Sequence, residues 1–229
     1  RVEGFAASLH NMVVTPYVQA HGTEEQKKKW LPGLVTGESI SAIAMSEPGA
    51  GSDLQAIRTT AIKDGDGYRI NGSKVWISNG QISNFIIVVA KTDPSRGAKG
   101  TSLIIVEPDK VGGFRRGKNL DKIGLTAQDT SELFFDDVWV PEENLLGGVE
   151  GRGFIQLMAE LPKERLIIAF AGVITMEAAL ETTIEYTKDR KVFGQKLIEF
   201  QNTQFKLADV KARATIAKVF MNHCIAQLL

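Results

Sequence analysis

Between Gly37 and Gly148 the sequence carries one apolar strand pattern after another, with no stretch of helical period among them. Residues 40–45, 85–90, 101–107 and 132–138 read as strands, and 74–78 alternates. Asp64-Gly65, Asp66-Gly67 and Asn71-Gly72 are turn dipeptides. Strands that follow one another without helical crossovers predict an antiparallel sheet pair or barrel. On either side the period changes. Thr23-Glu-Glu-Gln26 reads as a capping box opening a short helix over 24–30, which Pro32-Gly33 closes or breaks. After Gly147-Gly148, residues 154–158 and 166–186 read as helix, and an amphipathic helix follows from Ile198. The fold class is α+β, in the order helical, β, helical, with boundaries at 1–37, 38–150 and 151–229.

Composition narrows the function classes. Lys+Arg and Asp+Glu number 27 each, so nothing marks a nucleic-acid or anionic-membrane binder. A single cysteine, Cys224, excludes an internal disulfide framework and a cysteine zinc cage. His10, His21 and His223 lie far apart, so no metal site is expected. The longest apolar run, 166–176, is too short to span a bilayer. The chain opens on Arg1 without a signal-peptide pattern and closes inside a helical stretch, so both ends look cut. The expected setting is not secretory: cytoplasm in a bacterium, mitochondrial matrix in a eukaryote.

Four stretches carry candidate chemistry. AMSEPGAGSD, 44–53, ends a strand with a hydroxyl, a carboxylate, a proline and two glycines, which suits close approach of backbone to a ligand. It is not a dinucleotide fingerprint, because the third glycine and the βαβ unit are missing. In KVWISNG, 74–80, alternation puts Trp76 and Ser78 on one strand face, an arrangement that fits either a flat heterocycle or an ordinary core tryptophan. Pro162 begins or kinks a helix with Glu164 in its first turn. That carboxylate is either a favourable N-terminal charge or a buried base. Arg190 and Lys191 followed by Gly194 fit a helix stop with favourable charge.

Together AMSEPGAGSD, YRINGSKVWISNG, FFDDVWVPEENLLG and RKVFGQKLIEFQ resemble the acyl-CoA dehydrogenase family. KIGLTAQDTSELFF and ELPKERLIIA look like its long-chain members. The resemblance implies the end of a helical N-terminal domain, a central antiparallel β-domain, the start of a C-terminal helical bundle, and non-covalent FAD. It implies that Ile43, Met45, Ser46, Gly51, Ser52, Trp76, Ile77 and Ser78 contact the flavin. Arg190, Phe193 and Gln201 would contact FAD bound mainly to a neighbouring subunit of a homo-oligomer, usually a tetramer. Ser52, Ala98, Lys99, Pro162, Lys163, Glu164 and Arg165 would contact acyl-CoA, although Lys99 reads equally well as an exposed loop lysine.

The implied reaction is α,β-dehydrogenation of a fatty acyl-CoA, with electrons passed to an electron-transfer flavoprotein. It needs a base for the α-proton, and the resemblance puts that base at Glu164. Two alternatives are an acyl-CoA oxidase-like enzyme using O₂ and a non-catalytic family member that only binds a partner.

Overall fold

The computed structural model describes residues 7–228. It divides into two compact units, Arg1–Glu160 and Leu161–Leu229. The first begins with a π-helical segment, Leu9–Val14, that runs into α1 (Thr15–His21). The capping box forms at the head of α2 (Glu24–Thr36): Thr23 Oγ1 accepts from the Gln26 N–H at 3.3 Å, and Gln26 Oε1 accepts from the Thr23 N–H at 3.0 Å. Pro32-Gly33 does not end this helix. Proline removes one helical hydrogen bond, but Trp30 and Leu34 on either side are buried in the core and hold both turns down. The stop is Gly37, whose φ of 81° suits a residue without Cβ.

Seven strands follow: β1 (Ser41–Ala44), β2 (Thr60–Asp64), β3 (Gly67–Ser78), β4 (Phe85–Lys91), β5 (Thr101–Val106), β6 (Phe114–Asn119) and β7 (Thr130–Pro141). Their order is β1-β4-β2-β3-β7-β6, with β5 also on β4. Most pairings are antiparallel, as expected, but β1–β4 and the short β2–β4 contact are parallel. A parallel pair needs a long crossover, and here the β2–β3 hairpin supplies it in place of a helix. Asn71-Gly72 is not a turn. It lies inside β3 at a register shift against β7, where a Cβ on Gly72 would come 2.4 Å from Thr59 Oγ1.

The sheet curls round two interiors. Ile43, Phe85, Ile87, Val89, Leu103 and Ile105 face α1 and α2 through Tyr17, Val18, Trp30 and Leu34. The alternate residues Ile86, Val88, Ala90, Ile104 and Val106 pack against Tyr68, Ile70, Leu133, Phe135 and Val138 from the other side of the sheet. β4 is therefore buried on both faces, which explains its unbroken apolar sequence.

α3 (Gly153–Asp189) begins in the first unit and continues through the second. The two helices read from the sequence are one, with Pro162 in its interior rather than at its start. A proline costs about 3 kcal/mol inside a helix, and apolar turns on both sides, with Leu157, Val173 and Leu180 buried, outweigh the loss. By length and composition alone α3 could cross a membrane, a test that core helices of soluble proteins also pass, so the short apolar run understated it. In the second unit α3 is followed by a two-stranded hairpin, β8 (Lys191–Val192) and β9 (Gln195–Lys196), and by α4 (Gln201–Leu228). Glu177 on α3 and Lys218 on α4 are paired at 2.9 Å.

Gln26 does more than cap. Its Nε2 donates to the Glu143 and Leu145 carbonyls at 2.8 and 2.7 Å, and its Oε1 also accepts from the Gly147 N–H at 3.0 Å. Gln26→Ala strands these groups, and an unpaired buried polar group costs about 1–3 kcal/mol. We expect the urea midpoint to fall accordingly, whereas Lys27→Ala, which breaks only an exposed pair with Glu24, leaves it nearly unchanged.

Candidate active site

β1 ends at Ala44, and the chain turns tightly at once: the Glu47 and Ala50 backbones exchange hydrogen bonds of 2.8 and 3.1 Å. Ser46 is half-buried, and its carbonyl accepts from the Val75 N–H at 3.0 Å. That bond lays the first candidate stretch alongside the second. Asn79 adds a tie, its buried Nδ2 donating to the Ser41 carbonyl at 3.0 Å. Ile43 is buried in β1 and Met45 packs partly against the same core, whereas Gly51 and Ser52 are exposed.

The second stretch is not a regular strand. Register against β7 shifts between Lys74 and Ile77, and Trp76 has a φ of 63°, a conformation costly for a bulky residue. The bulge changes the phase of the alternation. Lys74 and Ile77 both point inward, and Trp76 is turned out with 61% of its surface exposed. Ser78, half-buried, accepts from Gln128 Nε2 at 2.8 Å. Strain of this kind collects at functional sites, where surrounding structure over-determines it.

Beneath both stretches lies a buried ion pair. The Lys74 side chain is 0% exposed, and its Nζ donates to Glu47 Oε1 at 2.8 Å, Met45 O at 3.0 Å and Val89 O at 2.7 Å. Glu47 Oε1 also accepts from the Thr59 N–H at 3.0 Å, and Oε2 from the Arg58 N–H at 2.7 Å. Burial pushes the Glu47 carboxyl up, but the Lys74 ammonium and the hydrogen bonds outweigh it and hold the group below the usual carboxylate range. Burial also pushes Lys74 down to about 8, against the pull of Glu47. The two shifts do not mirror each other, because the lysine loses more by burial than it recovers.

Gly49 and Gly51 have no positive φ, and a Cβ on either would meet no protein atom within 4 Å. The chain itself does not require glycine at these positions. Ala98 and Lys99 line a cavity of about 340 Å³ with Arg96, Glu150, Arg152 and Ile155. Lys99 is exposed there.

The remaining predicted residues belong to the second unit. Glu164 lies eleven residues beyond Gly153, about three turns into α3, so it is not an N-terminal charge. It is only 8% exposed. Pro162 precedes it within the helix, Lys163 and Arg165 flank it. Arg190 sits just past the helix end, but Gly194 is not the helix stop. Phe193 and Gly194, with φ of 51° and 81°, form the two-residue turn of the β8–β9 hairpin, leaving Phe193 97% exposed. Gln201, the first residue of α4, is exposed. Among the described residues no group of three metal-ligating side chains occurs.

Sequence reasoning missed Glu47, Lys74, Asn79 and Gln128. Simple alternation put Lys74 on the same face as Trp76, so nothing in the local pattern marked it as buried.

The fold agrees with comparisons to known proteins. Family profiles match in chain order: acyl-CoA dehydrogenase N-terminal domain over 2–38, middle domain over 42–138 and C-terminal domain over 151–229. The chain belongs to the acyl-CoA dehydrogenase family. The mitochondrial long-chain specific acyl-CoA dehydrogenase of Sus scrofa is 48% identical over 220 residues, 95% of this chain and 51% of that relative. The mitochondrial isovaleryl-CoA dehydrogenase of Solanum tuberosum is 42% identical over 207 residues, 90% of this chain and 50% of its own. The crystal structure of an acyl-CoA dehydrogenase from Geobacillus kaustophilus superposes with a TM-score of 0.93 at 50% identity, covering 96% of this chain and 58% of that one. The chain thus spans about half the length of the curated relatives it matches.

The Glu47 shift sets a pH dependence. A carboxyl whose folded pKa lies below its unfolded value stabilises the fold above that unfolded value, and the contribution is lost as pH falls through the folded one. Urea midpoints measured from neutral pH down into the acid range should therefore fall less steeply for Glu47→Gln than for the wild type. Parallel curves would show that this carboxylate contributes nothing to acid sensitivity.

Proposed function

We propose that the full-length protein is an FAD-dependent acyl-CoA dehydrogenase that converts a fatty acyl-CoA to the trans-2-enoyl-CoA and passes electrons to an electron-transfer flavoprotein. The observation that carries this reading is the surface made by the two stretches of the first unit. Trp76 is held outward by a strained bulge, and beside its strand runs a turn whose glycines serve no need of the chain. A flat cofactor fits there: a tryptophan face for the ring, half-buried hydroxyls at Ser46 and Ser78, and backbone free of Cβ atoms. Ile43, Met45, Ser46, Gly51, Ser52, Trp76, Ile77 and Ser78 are assigned to FAD on this basis, together with the family relation. Bound FAD supplies the hydride acceptor for the substrate β-carbon.

The protein's own part is to bind, orient and move a proton. Ser52, Ala98 and Lys99 in the first unit, and Pro162, Lys163, Glu164 and Arg165 in the second, are assigned to acyl-CoA. Glu164 takes the α-proton. Its place in the helix interior removes the competing dipole role, and its low exposure suits a carboxylate kept from water. Arg190, Phe193 and Gln201, all exposed, are assigned to FAD of a neighbouring subunit in a homo-oligomer, a tetramer by family habit. The domain boundaries proposed are 1–37, 38–150 and 151–229, and the setting is the bacterial cytoplasm or the mitochondrial matrix.

Two measurements test the reading. Glu164→Gln keeps shape but cannot accept the proton, so stopped-flow flavin reduction by acyl-CoA should slow by about 10²–10⁴-fold, with FAD content retained. Near-normal reduction would remove Glu164 as the base. Gly51→Ala should raise the stability of the apoprotein by about 0.4–1 kcal/mol, since its φ is compatible with alanine. The same change should weaken FAD binding, and unaltered binding would mean that nothing approaches this turn.

A further inference from the structure

The buried ion pair has no place in the chemistry assigned above, yet it touches both cofactor-facing stretches. Lys74 Nζ has three N–H donors and three acceptors, Glu47 Oε1, Met45 O and Val89 O, so none of its donors is spare. Glu47 in turn accepts from the backbone of residues 58 and 59. One residue so fixed, Met45, is itself assigned to FAD, and Glu47 and Lys74 lie close in sequence to others that are. Met45 and Glu47 bracket Ser46, and Lys74 stands at the start of the bulge that turns Trp76 outward. The Val75 N–H, between Lys74 and Trp76, holds the Ser46 carbonyl.

We propose that Lys74 and Glu47 are positioning residues for the cofactor site, fixing the Ser46 turn and the Trp76 bulge at the mutual distance that FAD binding requires. This rests on the FAD reading given above. A buried charge pair is a poor choice for stability alone, because apolar residues of similar volume often serve as well or better. What the pair supplies is direction. It has directed donors and acceptors on the turn after β1, on β3, on β4 and on the segment before β2, and an apolar cluster would let these slide. The bulge makes such a constraint necessary, since Trp76 sits in a conformation that its own backbone disfavours.

The test uses the full-length protein with three variants, Glu47→Gln, Lys74→Met and the two combined, beside Val106→Ala as a destabilised control in the β-domain core. FAD dissociation constants, the visible spectrum of the bound flavin and apoprotein melting are measured for each. We expect the pair variants to fold and to bind FAD about ten- to hundredfold more weakly, as when the groups that orient the ligands of a metal site are removed. The flavin spectrum should change, and Val106→Ala should lose stability while keeping both its affinity and its spectrum. Wild-type affinity in any folded pair variant overturns the proposal. So does an equal loss in Val106→Ala, which would make the effect one of general stability. Failure of all three pair variants to fold also overturns it, leaving the pair as a folding element. A wild-type protein that binds no FAD sinks the functional reading instead.

Discussion

The Lys74–Glu47 pair is the constraint on which the geometry of the first unit turns. It is an ammonium and a carboxylate taken out of water, and such groups persist only if every donor and acceptor is matched. Matching them requires Met45, Arg58, Thr59 and Val89 to present backbone groups to one point, so these three segments and that of Lys74 must arrive together. The turn at Glu47–Ala50 contains one member of the pair, and the bulge at Trp76 begins beside the other.

β4 provides the floor for this arrangement. It carries β1 as a parallel neighbour and β5 as an antiparallel one, with its side chains buried on both faces. The parallel β1–β4 pairing sets where the Ser46 turn leaves the sheet, since β1 runs straight into it. The β2–β3 hairpin makes that pairing possible by bridging the two strands, and its second arm bears the Trp76 bulge. One connection therefore does two tasks, closing the crossover and delivering the aromatic residue.

Glu164 and Phe193 show how local context alters the meaning of a residue. A glutamate two residues after a proline reads as a helix start, because proline is common there. In α3 the proline is internal, so the same glutamate is an interior carboxylate with low exposure. A glycine four residues after the arginine that follows a helix reads as its cap. Phe193 and Gly194 instead turn a hairpin, which projects the aromatic ring into the open.

Much of this protein was legible in its sequence. The helical–β–helical order, the capping box at Thr23 and the apolar strands at 85–90 and 101–107 all follow from period and turn chemistry. These are local properties, set within a few residues by backbone and side-chain preferences. The parallel pairing, the bulge, the continuity of α3 through Pro162 and the partners of Lys74 were decided only by tertiary structure. Each depends on a balance between a local cost and burial contributed by distant residues. No window of sequence contains both sides of that balance, and so a lysine in a strand could be read but its carboxylate, 27 residues away, could not.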